Sequence, residues 1–364
     1  MVENLFYSTV PFDAARKVEI LPEGYRSPRA LHGRCFLAQV RAFLPQNWAP
    51  FPGSETSKLE QALTSCIAPI NYSDLNTHLP VPTDENLARW IQSNADIPGI
   101  DTVGIQSTLK QGADLDKKHH AHIWKRFRFE AAHQLPNVPE GHQCGRMHGH
   151  GFEVVLHANQ DLNKKNMGVD FDYIETLWNP MQQKLQYACL NDIPGLENPT
   201  SELIASWIWD QLKPKMPELS WVTVYETVTA GSHYDGKKYH IWKEQRFESA
   251  IRLMRAPKED PRNKLFGHSY IVRLHLTSPL NEIMGWTIDY GDVKELFKPA
   301  YKKLDHRLLN DLPGIDDGDT GTVLQWIKNN MMGILPQLNR IDLFETPGSG
   351  GTLAWGSQGP ILPV

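Results

Sequence analysis

One pattern occurs three times in this chain at a spacing of about 120 residues, and no other feature limits the fold as strongly. Phe129-Glu130-Ala131-Ala132-His133-Gln134-Leu135 returns as Phe247-Glu248-Ser249-Ala250-Ile251-Arg252-Leu253, and stands earlier as Phe12-Asp13-Ala14-Ala15-Arg16-Lys17-Val18. Met147-His148-Gly149-His150-Gly151-Phe152 likewise matches Leu265-Phe266-Gly267-His268-Ser269-Tyr270 and Leu31-His32-Gly33-Arg34-Cys35-Phe36. Later landmarks keep the period: Tyr225-Glu226-Thr227 corresponds to Phe344-Glu345-Thr346 and to Ile105-Gln106-Ser107. Solenoid repeats are far shorter, roughly 20 to 50 residues, so the expectation is three tandem domains, 1–120, 121–239 and 240–364.

Within a repeat the expected order is β-β-α-α-β-β, an α+β unit. Residues around 122–135 and 150–159 alternate apolar and polar as strands do, with a Pro- and Gly-containing loop between them that carries Cys144. Stretches around 172–187 and 200–213 have helical periodicity, the second opening on Asn198-Pro199-Thr200-Ser201, a helix start signal. Trp221 to Thr229 and Lys237 to Trp242 are expected to form a second hairpin around Ala230-Gly231-Ser232.

Composition sets the outer limits. A chain of 364 residues is too long for one ordinary core. A formal charge of −5 with scattered Lys and Arg gives no electrostatic reason to expect nucleic acid. No apolar run approaches the roughly 18 residues that span a bilayer, and Met1-Val2-Glu3-Asn4 lacks a signal-peptide pattern. Four cysteines make no disulfide framework. The expectation is a cytoplasmic protein with a small-molecule partner and no membrane or nucleic-acid partner.

The second repeat holds the chemistry. His148 and His150 would share one face of a strand, and a neighbouring antiparallel strand brings His133 opposite them. Three nitrogen donors with an open fourth position describe a catalytic zinc site, since structural sites close with four protein ligands. Ile251 and Phe266 in the third repeat, and Arg16 and Arg34 in the first, stand where ligands would be needed. His119, His120 and His122 lie in a lysine-flanked junction and are expected to be solvated, while Cys35, Cys66 and Cys189 are expected as small core residues. Gly348-Ser349-Gly350-Gly351 is expected as a hairpin turn, because no helix start follows it.

Phe-x-Ala-Ala-His at Phe129 to His133, Cys-x3-His-Gly-His at Cys144 to His150, Leu304-Asp305-His306-Arg307-Leu308-Leu309-Asn310-Asp311 and the late Glu-Thr pairs together resemble the 6-pyruvoyltetrahydropterin and 6-carboxytetrahydropterin synthase family. The resemblance covers repeats two and three strongly and repeat one weakly. It implies the tunnelling fold, in which units assemble into a twelve-stranded antiparallel barrel with helices outside. A fused triple repeat would be a pseudo-trimer, and a homodimer of pseudo-trimers would stand in for the family's hexamer. The spacing between Cys144 and His148 looks more like the 6-carboxy enzymes of the queuosine precursor pathway than the 6-pyruvoyl enzymes.

The resemblance also implies roles. Zinc on His133, His148 and His150 would bind the side-chain hydroxyls of a dihydropterin and ease removal of the adjacent carbon-bound protons. Cys144 would be a base, Asp305 and His306 a proton-passing pair, and Glu345 or Glu226 the anchor of the pterin's amino-pyrimidine edge. The family reaction eliminates triphosphate from 7,8-dihydroneopterin triphosphate, and its 6-carboxy branch also releases acetaldehyde. Repeat two has lost the Asp-His pair to Gln186 and Tyr187, while repeat three has lost the metal ligands. That complementarity leads to the expectation of one composite site between repeats two and three. A 6-pyruvoyltetrahydropterin synthase, a non-catalytic zinc and pterin binder, or an enzyme acting on another pterin or purine remains as an alternative.

Overall fold

The computed structural model describes residues 3–18, 30–160, 169–356 and 360; Met1 and Val2 of the N-terminal reading lie outside them. The elements in chain order are β1 (Glu3–Arg16), β2 (His32–Ala42), α1 (Glu55–Ile67), β3 (Ser73–Asp74), α2 (Asp84–Asn94), β4 (Ile100–Thr108) and β5 (Gln111–Asp116). There follow β6 (Ala121–His133), β7 (His148–Gln160), α3 (Phe171–Leu185), α4 (Ser201–Leu212), β8 (Leu219–Thr227) and β9 (Ala230–Tyr234). The last set is β10 (Tyr239–Ile251), β11 (Phe266–Thr277), α5 (Tyr290–Leu304), β12 (Arg307–Leu308), α6 (Thr320–Met331), β13 (Leu338–Thr346) and β14 (Ser349–Ala354). Two long strands, two helices and two further strands thus follow one another three times, in what are called here the first, second and third units.

Twelve of these strands close a ring in the order β1, β2, β4, β5, β6, β7, β8, β9, β10, β11, β13, β14 and back to β1. Every neighbouring pair is antiparallel, the junctions between units included. Closure leaves no free sheet edge. Along each strand the side chains alternate between the two faces. Phe152, Val154, Leu156 and Ala158 of β7 point outward, where they meet Ile174, Trp178, Ile204 and Ile208 of α3 and α4 in one apolar core. The other two units build equivalent cores, around Phe36 with Leu59 and Ile91, and around Tyr270 with Phe297 and Ile327. The alternate positions hold polar side chains: the Thr223 hydroxyl lies 3.2 Å from His157 Nε2 and 2.7 Å from His233 Nδ1.

Local signals explain most element starts. Thr200 caps α4 by accepting from the Leu203 N–H, and Asp170 and Asp289 cap α3 and α5 in the same way. The second hairpin differs from the expected one. It turns at residues 228–229, so Ala230, Gly231 and Ser232 are strand, and Tyr239 to Trp242 open β10 of the next unit. Gly231 behaves as a strand residue because of close packing: a Cβ there would lie 2.4 Å from Trp242 and 2.3 Å from the Val224 carbonyl oxygen. Gly348 with φ of 75° forms the last hairpin turn, and Ser349 to Gly351 belong to β14. Cys66 is buried, whereas Cys189 is half-buried and Cys35 exposed, because the odd positions of β2 face away from the helices.

Candidate active site

His133 ends β6 and pairs directly with His148 at the start of β7, while His150 pairs with Ala131 two residues further in. Period-two alternation therefore sets the three imidazoles on one face, with ring centroids 4.5, 5.2 and 5.0 Å apart. Carbonyl oxygens fix two of the tautomers. The Pro199 carbonyl lies 3.0 Å from His133 Nδ1 and the Arg146 carbonyl 2.7 Å from His148 Nδ1. A carbonyl can only accept, so both Nδ1 atoms carry the proton and both Nε2 lone pairs are free. His133 Nε2 and His150 Nε2 are buried with no hydrogen-bond partner. Burial and its histidine neighbours hold His133 down at about 4, and His150 is lowered for the same reasons. These are neutral imidazoles, the form that binds metals.

Glu226, near the end of β8, brings a carboxylate 3.6 Å from His150 Nε2. One donor atom each from His133, His148, His150 and Glu226 lies within 4.8 Å of all the others. Buried, unpartnered nitrogen donors beside a carboxylate fit a divalent metal ion such as zinc. No second group of this kind occurs among the described residues; His119 and His120 are exposed at the β5–β6 junction as expected, whereas His122 is half-buried in β6.

Of the four donors, His148, His150 and Glu226 line a cavity of about 500 Å³ at the boundary between the second and third units. Cys144, in a short 3₁₀ turn, forms part of its wall, its N–H donating to His142 Nδ1 at 3.2 Å. Burial, with Glu226 and Asp289 nearby, pushes the Cys144 thiol up to about 11; a cation on the histidines would act in the opposite direction. Glu226 is pushed up to about 7 by burial, Glu202 and Asp289. The opposite wall comes from the third unit, through Lys243, Asp289, Tyr290 and Lys294. None of these four sits in a recognisable motif, and only Asp289 carries a signal, as a helix cap. The two walls are stitched together. The Thr200 hydroxyl donates to the Gly285 carbonyl at 2.6 Å, Ser201 Oγ lies 2.7 Å from Tyr290 OH, and Glu202 accepts from the Thr287 N–H at 2.9 Å.

Asp305 and His306 are not brought into this cavity. The reason is local. Asp305 Oδ1 accepts the Glu248 N–H at 3.0 Å, and His306, at φ of 54°, donates its own N–H to the Glu248 carbonyl. Gln186 and Tyr187 do the same to Glu130, and Asn71 and Tyr72 to Asp13. All three sites hold a left-handed residue at the outer edge of a barrel strand, and the acceptor before it is part of that turn. His306 Nδ1 lies 3.0 Å from Asp305, and its side chain is 77% exposed. Glu345 also stands apart, in a separate cavity where the third unit meets the first, accepting hydroxyl hydrogens from Thr56 and Thr320.

The position of His133 is filled differently in the first unit. Arg16 Nη1 donates to Asp84 at 2.6 Å and to the Pro82 carbonyl at 2.9 Å, and both charged residues are buried. A guanidinium thus occupies the place where the second unit gathers metal donors. Asp84→Ala strands that charge, and the expected loss is about 3–5 kcal/mol of stability, measured as a shift in the denaturant midpoint at unchanged slope.

The sequence model of the 6-pyruvoyl tetrahydropterin synthase family matches residues 122–237 and 240–354, well over half of the chain. The chain belongs to that family. A 6-carboxy-5,6,7,8-tetrahydropterin synthase from Synechocystis sp. is 41% identical over 119 residues, 31% of this chain and 91% of that protein. A dihydroneopterin monophosphate aldolase from Pyrococcus furiosus is 30% identical over 97 residues, 27% of this chain and 79% of the other. Among solved structures, the 6-pyruvoyl tetrahydropterin synthase of Caenorhabditis elegans matches 32% of this chain and 95% of its own length, at 18% identity and a TM-score of 0.29. Membership of the 6-pyruvoyl tetrahydropterin synthase family makes the chain an enzyme, a lyase-type pterin synthase, with two such domains in tandem. No helix among the described residues is long and apolar enough to cross a membrane.

Proposed function

We propose that the chain is a zinc-dependent pterin synthase that eliminates triphosphate from 7,8-dihydroneopterin triphosphate and gives 6-carboxy-5,6,7,8-tetrahydropterin. The observation that carries this reading is the cluster of His133, His148, His150 and Glu226 at a cavity whose wall also carries Cys144. His133, His148 and His150 would hold zinc, which supplies Lewis-acid polarisation of the ligand's hydroxyl oxygens when bound. Cys144 on the wall acts as the base toward carbon-bound protons. Glu226, rather than the distant Glu345, accepts the paired N–H groups of an amino-pyrimidine edge. Release of inorganic triphosphate by the metal-loaded protein tests the reading. The Pyrococcus relative motivates a second one, an aldol cleavage. That reaction leaves the phosphate ester on the side-chain fragment, so absence of free triphosphate with an aldehyde phosphate formed would favour it.

The reading extends to the architecture and the assembly. Residues 1–120, 121–239 and 240–364 are three tunnelling-fold repeats fused into a pseudo-trimer, the first of them structural, acting in the cytoplasm. Two such chains pair face to face through the rim that carries the metal cavity. The ends of β1, β6 and β10 share that rim, and it carries exposed apolar side chains: Tyr72 and Tyr187 are 82% and 81% exposed, and Leu31, Met147 and Leu265, each just before a strand that starts there, are exposed too. His306 stands at the same rim, so a second copy is the source that would bring an Asp305–His306 pair to the cavity. Light scattering is expected at twice the chain mass of 41.4 kDa. Cys144→Ala and His306→Ala chains, each inactive alone, should regain about a quarter of wild-type turnover when co-refolded, because random pairing leaves one intact site in half of the dimers. No recovery in verified heterodimers would rule out a pair acting between chains.

A further inference from the structure

Comparison of equivalent positions in the second and third units exposes a charge reversal in the wall of the cavity. In the second unit, Lys125 of β6 donates to the Phe171 carbonyl at 3.1 Å and forms an ion pair with Glu175 of α3 at 2.5 Å. That closes the lysine off; it is buried and lines none of the described cavities. The matching residues of the third unit are Lys243 of β10 and Lys294 of α5. With lysine in place of the carboxylate, no ion pair forms. Both ammonium-bearing side chains line the cavity that holds the metal donors, and neither has a carboxylate within 4.0 Å among the described residues.

The nearby carboxylates are otherwise engaged. Glu244 takes Arg273 at 2.9 Å, Asp289 accepts the N–H groups of Gly291 and Asp292 at the start of α5, and Glu226 faces His150. Lys243 keeps one neutral contact, donating to the Thr229 hydroxyl at 3.1 Å. Two like charges on one wall repel each other, and after burial Lys294 is the strongest influence lowering the Lys243 pKa. Glu226, Glu244 and Asp289 act in the opposite sense on Lys243, but none pairs with either ammonium, so both remain open to a ligand's negative charge.

We propose that Lys243 and Lys294 form the anion subsite of this cavity and hold the polyphosphate chain of its substrate. The inference rests on the reading of the cavity as a pterin synthase site for its substrate, but its test does not. Lys294→Glu restores the ion pair seen in the second unit. Binding of inorganic tripolyphosphate to the metal-loaded protein, measured by calorimetry, should weaken by about tenfold or more in this variant and in Lys243→Met, the range expected for charge-assisted contacts. Lys302→Glu, in the last turn of the same helix, should leave it unchanged. The metal's own affinity for the anion is common to all these proteins and drops out of the ratio. Unchanged tripolyphosphate affinity in both Lys294→Glu and Lys243→Met overturns the subsite. If the anion behaves as expected while no pterin is turned over, the subsite stands and the proposed reaction falls.

Discussion

His148→Ala is expected to release the metal and to lower turnover by about a thousandfold or more, the several kcal/mol that a Lewis acid contributes to such a step. His148 is half-buried at the strand end, and its ring contacts are with the other two histidines and the Arg146 carbonyl. The barrel's pairing along β6 and β7 continues for a dozen residues without it. Cooperative thermal unfolding should therefore persist in the metal-free variant. Metal analysis and calorimetry on the same sample check both halves, and loss of cooperative unfolding along with the metal would mark the ion as structural.

Cys144→Ala should separate metal binding from proton transfer. The thiol lines the cavity but is outside the cluster of donors, so metal content should stay at wild-type level while turnover falls by about 10²- to 10⁴-fold, the usual contribution of a positioned base. Full metal occupancy with unchanged turnover would remove Cys144 from the reaction. Lost metal would instead make the thiol a ligand.

Both predictions concern residues that were legible in the sequence, for a simple reason. His148 and His150 are two apart, a strand alternates sides every residue, and an antiparallel neighbour brings His133 opposite. No long-range information was needed. The alternation over 122–135 and 150–159 and the helical periodicity over 172–187 and 200–213 made the order of strands and helices legible for the same local reason. The far wall was not legible, because Lys243, Asp289, Tyr290 and Lys294 meet the histidines only when the third unit closes against the second. Asp305 and His306 were legible as a pair, but their place outside the cavity of their own chain was not. Asp305 caps a left-handed turn that Asn71 and Gln186 also cap, and a local backbone requirement cannot be told from catalysis by residue type alone. In the first unit, Arg16 signalled a lost ligand, but the buried Asp84 that receives it lies in a helix whose packing no local pattern specifies.

The central claim is that the cavity at the junction of the second and third units carries out pterin synthesis with triphosphate as leaving group. The most direct measurement is mass analysis of the products formed from 7,8-dihydroneopterin triphosphate by the zinc-loaded chain, with inorganic triphosphate quantified in the same reaction. The expected result is 6-carboxy-5,6,7,8-tetrahydropterin with one triphosphate and one acetaldehyde per turnover, abolished by His148→Ala. Unaltered substrate after many equivalents of time with fully metal-loaded protein, or conversion that persists in His148→Ala, would contradict it.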